Sequence, residues 1–265
     1  MTADNSSALP ELAIVVGHKR TPFPIWNGWR FATYKPTSIE DFPIPDVCDP
    51  RLPDSLVGEY HYLFALRREL ESRKTFSSVR IAQYRRIVIR EVLGQPANNQ
   101  PWTRVVNLEQ AATFDALTLT TSRAHGFLIS SIAQFPTVLL QYAMSHHARD
   151  LLRFLSDAVD ANVIDNADAT SCLLIDGMIP APANGTFPIE IFLRIMETLE
   201  RSAIAYLESG YVPRTEYQRR ALGFCLERLN SFLLIKELRT RQIDLQSVVG
   251  QQITISDSSH ITGSA

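Results

Sequence analysis

The stretch Leu12-Ala13-Ile14-Val15-Val16-Gly17-His18-Lys19-Arg20 decides the fold. Leu12 to Val16 is apolar without interruption, and Ile14, Val15 and Val16 are β-branched. Such a run predicts a strand buried on both faces, as in a parallel sheet. It stops at Gly17, where the character turns basic at His18, Lys19 and Arg20. In open α/β sheets ligands bind beyond the carboxyl ends of the strands. The basic cluster is therefore placed either as a diphosphate contact or as a solvated loop.

A second strand is expected at Val79-Arg80-Ile81-Ala82-Gln83-Tyr84, followed directly by Arg85-Arg86, with Ile87-Val88-Ile89 continuing extended. Between the two strands, Thr21 to Pro53 is rich in proline and aromatics, including Pro22, Pro24, Trp26, Trp29, Pro36, Pro43 and Pro45. Proline blocks helix interiors, and a long stretch without periodicity reads as a functional loop or lid. Trp26, Trp29 and Tyr34 are placed there to stack on a base or a sugar ring. Asp54-Ser55 caps a helix running to about Arg73, with Leu56, Tyr60, Leu63, Phe64, Leu66 and Leu70 on one face and Arg67, Arg68 and Arg73 toward solvent.

Farther along, Gly94 to Pro101 reads as a turn-rich loop, Phe114 to Leu119 as a short strand and Cys172 to Ile175 as another. Helices are expected over Val138–Met144, Ala148–Val159, from Pro188 to about Glu208, and from about Glu216 to Arg241. The expected organisation is a flexible N-terminus over 1–10, one domain over 11–245 and a C-terminal tail over 246–265. This order predicts an α/β or α+β domain of nucleotide-binding type with a helical C-terminal part.

The 265 residues carry 26 Lys and Arg against 28 Asp and Glu, so bulk attraction to nucleic acid is not indicated. No apolar stretch reaches about 18 residues, and Met1 to Leu9 lacks a signal pattern, so a cytoplasmic chain is expected. Cys48, Cys172 and Cys225 lie far apart and read as buried or incidental thiols.

Glycine-rich phosphate loops and the Gly-x-Ser-x-Gly elbow are missing from the sequence, and no Asp-x-Asp follows an apolar strand. Asp157, Asp160, Asp165 and Asp168 read as solvated. The chemistry-bearing residues are basic. If both strands share one parallel sheet, His18, Lys19, Arg20, Arg85 and Arg86 converge on one edge and can hold a diphosphate without a metal. The competing reading pairs Arg85 or Arg86 with Glu69 or Glu71. His146-His147 reads as structural, because adjacent helical side chains diverge. Asn184-Gly185-Thr186-Phe187 is a candidate ligand loop or an ordinary helix entry. Glu227-Arg228 is an ion pair, buried or facing a cleft.

Five patterns together carry a resemblance. They are Ile14-Val15-Val16-Gly17-His18-Lys19; the helix through Tyr60-His61-Tyr62-Leu63-Phe64-Ala65-Leu66; Gln83-Tyr84-Arg85-Arg86; Gln141-Tyr142-Ala143-Met144-Ser145-His146; and Arg220-Ala221-Leu222-Gly223-Phe224-Cys225-Leu226-Glu227-Arg228-Leu229. In order and spacing the chain resembles a family of bacterial capsular and exopolysaccharide biosynthesis proteins that includes galactofuranosyltransferase-like enzymes. Two departures stand out: the family's histidine in the third pattern is Gln83, and its Gly-Asp-Asn turn before the first helix is Leu52-Pro53-Asp54-Ser55.

The resemblance implies an α/β, single-domain, nucleotide-sugar-transferase-like (GT-A-like) sheet with a helical C-terminal part. It also implies a glycosyltransferase, hexosyltransferase-like, acting on a nucleotide-sugar donor and a saccharide or lipid-linked saccharide acceptor. The nucleotide-sugar is then a co-substrate and no further cofactor or metal is expected. His18, Lys19, Tyr84, Arg85 and Arg86 would bind the donor diphosphate, Trp26, Trp29 and Asn184 would belong to a donor or acceptor loop, and Glu227 or Asp176 would be the base. Membrane association would be at most peripheral, at the inner face. Two alternatives remain: a non-catalytic nucleotide-sugar-binding or scaffold protein of polysaccharide biosynthesis, and an unrelated α/β hydrolase or transferase using His61 or His125.

Overall fold

The computed structural model describes residues 9–17, 26–46, 49–83, 85–98, 100–114 and 124–256. The chain begins with β1 (Glu11–Val16), β2 (Trp29–Thr33), β3 (Asp41–Pro43), α1 (Asp54–Val57), α2 (Tyr60–Arg73), β4 (Ser78–Gln83) and β5 (Arg86–Ile89). A hairpin of β6 (Gln95–Ala97) and β7 (Gln100–Asn107) leads to α3 (Leu108–Ala112). Then come β8 (Ile129–Ser130), β9 (Ala133–Gln134), α4 (Val138–Ala143), α5 (Ala148–Asp160), α6 (Asn166–Leu174), β10 (Gly177–Met178) and β11 (Gly185–Pro188). The chain closes with α7 (Ile189–Glu208), α8 (Ala221–Thr240), α9 (Leu245–Val248) and β12 (Val249–Ser256).

The main sheet has the order β3-β2-β1-β4-β5-β12-β7-β6, with β11 also on β4 and β8 on β12. β3, β2, β1 and β4 are mutually parallel, as the apolar run in β1 predicts. Leu12, Ile14 and Val16 face one core, shared with α2, α7 and α8. Val15 faces a second, smaller core with Trp29, Phe31, Ile87 and Ile253. Burying each large apolar side chain contributes about 1.5–3 kcal/mol, and a one-residue slip would exchange the faces, so the register is strongly specified. From β1 the chain builds β2 and β3 on one side, then returns to place β4 on the other. The strand order thus reverses between β1 and β4, where Val16 lies opposite Gln83.

Several expectations are corrected. The stretch expected as a lid over Thr21–Pro53 contains two sheet strands, β2 and β3; residues 21–25, 47 and 48 lie outside the described residues. Strands of five and three residues are too short to show a period between prolines. Cys172–Leu174 is the last turn of α6, not a strand: the Asp165 side chain caps that helix by accepting from the Asp168 amide, and Cys172 faces the core. The expected Asp54–Arg73 helix is two helices, broken at Gly58 with φ 62°. The expected Gly94–Pro101 loop instead contains β6 and the start of β7, which pair antiparallel. In the expected strand at Phe114–Leu119, Phe114 follows α3 and stacks on Trp26, while residues 115–119 lie outside the described residues. The segment expected as a tail supplies β12, which sits inside the sheet between β5 and β7. Its two buried isoleucines, Ile253 and Ile255, explain why.

Arg67 and Arg68 of α2 are not simply solvated. Both reach Glu200 of α7, which is 3% exposed, at 2.8 and 2.5 Å. A buried carboxylate needs such partners, and this triad joins α2 to α7. Cys172 and Cys225 are buried free thiols; Cys48 lies outside the described residues.

Candidate functional site

Three adjoining cavities follow the carboxyl edge of the parallel strands. One of about 220 Å³ is lined by Gly17, Thr33, Tyr34, Lys35, Asp46 and Tyr62 among others. It shares Gly17 and Tyr62 with a cavity of about 290 Å³, lined also by Val16, Gly58, Glu59, Gln83 and Arg220. That one shares Glu59, Gln83 and Arg220 with a third of about 420 Å³, which adds Arg85, Arg86, His146, Tyr217, Phe224, Glu227, Arg228 and Thr254. The shared residues make one groove across the β1–β4 reversal, where open α/β sheets bind ligands.

Local structure aims each side chain. The left-handed Gly58 lets the chain turn between α1 and α2, and Glu59 follows as the residue before α2. Gln83, the last residue of β4, donates from Nε2 to Glu59 Oε1 at 2.8 Å. Arg220 enters ahead of α8 and donates from Nη2 to Glu59 Oε2 at 3.4 Å. The φ of Gly58 favours glycine, and a Cβ there would also push the Arg220 guanidinium aside. The tight β4–β5 connection carries Arg85, whose carbonyl accepts from the Ile255 amide at 2.8 Å. Arg86 opens β5 opposite Gln83. Glu69 and Glu71, the alternative partners for this pair, are bound by Arg73 and Arg67 of their own helix. Among the described residues the Arg86 side chain makes no hydrogen bond or salt bridge, and its charge acts on Glu227.

The floor comes from α8. Arg228 is 5% exposed and fully engaged. It donates to Gln141 Oε1 at 3.0 and 3.3 Å, to the Phe224 carbonyl at 3.2 Å and to Glu227 Oε2 at 3.0 Å, with its guanidinium 5.3 Å from the Tyr142 ring centre. Glu227 keeps 27% of its side chain exposed. Packing away from water raises its carboxyl above the usual carboxylate range, with Arg228 opposing and Glu59 adding to the rise. His146 lies against Phe224 with ring centres 4.1 Å apart. Burial, reinforced by the Arg228 charge, lowers its pKa to about 4. Four arginines thus meet two glutamates in the third cavity, and the surplus positive charge suits a dianionic ligand.

The sequence-predicted residues divide clearly. Arg85, Arg86 and Glu227 line one cavity. His18, Lys19 and Tyr84 lie outside the described residues; the strand ends that carry them, Val16–Gly17 and Gln83, lie side by side. Trp26 and Trp29 are not ligand-stacking residues: they are 5% and 4% exposed in the second core, and the Trp26 indole donates to the Ala111 carbonyl at 2.9 Å. Asn184 is wholly buried ahead of β11, away from the groove lining, and its side-chain amide makes no hydrogen bond among the described residues. Asp176 is exposed just before β10, which pairs antiparallel with β9; its carbonyl accepts from the Phe135 amide, and it does not line the groove. His61 is tied by Nδ1 to the Leu52 carbonyl at 2.8 Å, and His125 is exposed in a short turn.

Sequence reasoning assigns no ligand role to Glu59, Tyr62, Gln83, His146, Tyr217, Arg220 or Arg228. A glycine in the middle of an apolar helical pattern is the one local signal that pointed at residues 58 and 59. Among the described residues no three His, Cys, Asp or Glu side chains converge as a metal site would need, and no helix is long and apolar enough to cross a membrane.

Comparison with known proteins adds a likeness of fold. No protein-family model matches the chain, and no curated protein does. Among solved structures, the chain is similar to the apo structure of the bifunctional glycosyltransferase WbbM, with a TM-score of 0.69 and 14% identity. The match covers 94% of this chain and 45% of that one, so the chain spans about half the length of its neighbour. The expected architecture, an α/β sheet with a helical C-terminal part, is therefore the one observed, and it is shared with part of a glycosyltransferase.

Proposed function

We propose that the chain is a glycosyltransferase that moves a sugar from a nucleotide-sugar donor to a saccharide or glycolipid acceptor of polysaccharide assembly, without a metal. The observation that carries this reading is the arginine-rich groove at the β1–β4 reversal, with Glu227 in the same cavity, in a fold similar to part of a glycosyltransferase.

In this reading the donor diphosphate lies against Arg85, Arg86 and Arg220, with His18 and Lys19 on the segment after β1. As the sugar departs, charge grows on the diphosphate, and preorganised cations lower the barrier by meeting it. The acceptor oxygen bonds to the anomeric carbon while the bond from that carbon to the diphosphate oxygen breaks. The electron pair leaves with the diphosphate and the acceptor proton passes to Glu227. Arg228 occupies Oε2 of Glu227, and the raised carboxyl is a stronger base than an ordinary one. Glu227 supports this role better than Asp176, which stands outside the groove lining.

The test is a panel of UDP-, GDP-, dTDP- and CMP-sugars, followed by thermal shift and by nucleotide release, with and without chelator. Ligand binding stabilises the native state by mass action. Glu227→Gln is expected to lower release by about 100-fold or more while nucleotide binding persists. Stabilisation without release in the wild type would identify a non-catalytic nucleotide-sugar-binding protein, and no stabilisation by any donor would overturn both readings.

A further inference from the structure

One wall of the third cavity is aromatic, and neither charge stabilisation nor proton transfer uses it. His146 follows α4, Tyr217 sits in a short 3₁₀ turn over Glu216–Arg220, and Phe224 is in the first turn of α8. Their rings pack together: His146 on Phe224 at 4.1 Å and 21°, Tyr217 on Phe224 at 5.0 Å and 34°, and Tyr217 beside His146 at 5.9 Å and 20°. Phe224 is 8% exposed, whereas Tyr217 is 64% exposed, so the stack has a buried base and an open outer ring.

The turn bearing Tyr217 is anchored on both sides. Arg214 forms a two-point ion pair with Asp150, a 4%-exposed residue, at 2.6 and 3.2 Å. Gln218 donates to the Ser145 carbonyl at 3.0 Å and meets His146 Nδ1 at 3.4 Å. Tyr217 also lines a separate outer cavity of about 430 Å³ with Arg214, Thr215, Glu216, Gln218 and His147. It is therefore the ridge between the cavity holding Glu227 and an outer groove lined mainly by hydrogen-bonding side chains.

We propose that Tyr217, backed by Phe224 and His146, is the stacking platform for the acceptor saccharide, and that the outer groove takes the next sugar along the acceptor chain. This rests on the glycosyltransferase reading above. A pyranose has an apolar C–H face and a rim of hydroxyls, so it needs one flat aromatic surface with polar groups around it. The ridge supplies the surface, Glu227 and the arginines line one side, and Arg214, Thr215, Glu216 and Gln218 line the other. A sugar stacked on the ridge shares a cavity with Glu227, the group proposed to take its proton. His146 stays neutral through the physiological range, so the backing ring carries no charge that water would compete for. A site spanning two cavities selects acceptors of more than one sugar.

The experiment is a glycan array of mono- and oligosaccharides probed with the wild type, Tyr217→Ala and Tyr217→Phe, with melting temperatures of all three as the folding control. Wild-type protein is expected to bind oligosaccharides in preference to their monosaccharides. Tyr217→Ala should lose that binding by about tenfold or more, and Tyr217→Phe should keep it within about threefold, because the ring face and not the hydroxyl makes the contact. No saccharide binding by the wild type, or equal binding by folded Tyr217→Ala, overturns the proposal. Titrations of the wild type with UDP, GDP, dTDP and CMP are run in parallel. Absence of nucleotide binding with Tyr217-dependent saccharide binding would overturn the transferase reading and leave the platform as a carbohydrate site.

Discussion

Gln83 at the end of β4 and Glu59 at the start of α2 are joined by a 2.8 Å hydrogen bond from the amide Nε2 to the carboxylate Oε1. The bond ties the sheet edge to the helix that crosses it and leaves Glu59 Oε2 for Arg220. Gln83 is 8% exposed. Removing its donor leaves a poorly solvated carboxylate short of a partner, which costs about 1–3 kcal/mol. Gln83→Leu should lower the urea midpoint accordingly with an unchanged slope. Gln83→His, which restores the residue type of the resembled family and retains a ring N–H donor, should cost less. Equal stability of Gln83→Leu and the wild type would show that the bond is incidental.

Arg86 stands at the groove with its charge acting on Glu227, while among the described residues its side chain forms no salt bridge. Charge-assisted contacts are worth about 1.5–3 kcal/mol, so Arg86→Ala should weaken UDP binding by roughly 10- to 100-fold. Folding should be nearly unaffected, since no native ion pair is lost. Calorimetry with and without chelator checks it. Binding that survives Arg86→Ala and vanishes with chelator would instead identify a metal-held diphosphate.

Gly58 should resist substitution through its backbone, and a side chain there should also displace Arg220. Its φ of 62° is unfavourable for a side chain, at about 1–2 kcal/mol, and a Cβ would meet the Arg220 guanidinium. Gly58→Ala should therefore lower both the melting temperature and the affinity for UDP. Arg220→Ala should lower the affinity with a smaller loss of stability, since Arg220 is 47% exposed and its contact with Glu59 is long at 3.4 Å. Relief of the Gly58→Ala stability defect in the double variant would separate the steric part from the backbone part; no relief would place the whole defect in φ.

The lowered pKa of His146 makes stability depend on pH. The folded value is about 4 against an ordinary value of 6.5, because burial and Arg228 disfavour the imidazolium. Between those values the unfolded chain binds a proton that the folded chain does not, so stability rises with pH across that window. The contribution is complete above about 6.5 and is lost on acidification toward 4. His146→Phe keeps a ring against Phe224 and removes the titration. Urea unfolding at several pH values should show the wild type losing more stability than His146→Phe between pH 7 and 4.5. Parallel curves for the two proteins would rule out a buried neutral imidazole.

Much of the groove's outline is written locally. The apolar run at Leu12–Val16 predicts a strand buried on both faces, and β1 is that strand. Helical spacing predicts α7 and most of α8. Arg85, Arg86 and Glu227 are singled out as charge beside apolar elements, and they share a cavity. Such features are legible because strand and helix periodicity depend on near neighbours in the chain.

The sequence by itself determined where the strands β1 and β4 end and which basic residues follow them, because a change from buried to solvated character is a local event. The tertiary structure alone decided that Trp26 and Trp29 are core, that β12 enters the sheet between β5 and β7, and that Glu59, Gln83 and Arg220 meet. An aromatic residue in a proline-rich stretch reads the same whether it covers a sheet or a ligand. Its fate depends on whether a second hydrophobic layer, here α3 and the Phe114 that follows it, packs over that face of the sheet. Likewise a carboxylate, an amide and a guanidinium drawn from α2, β4 and the approach to α8 carry no mutual signal along the chain. Their convergence follows from strand order and from the break at Gly58, which exist only once both faces of the sheet are buried.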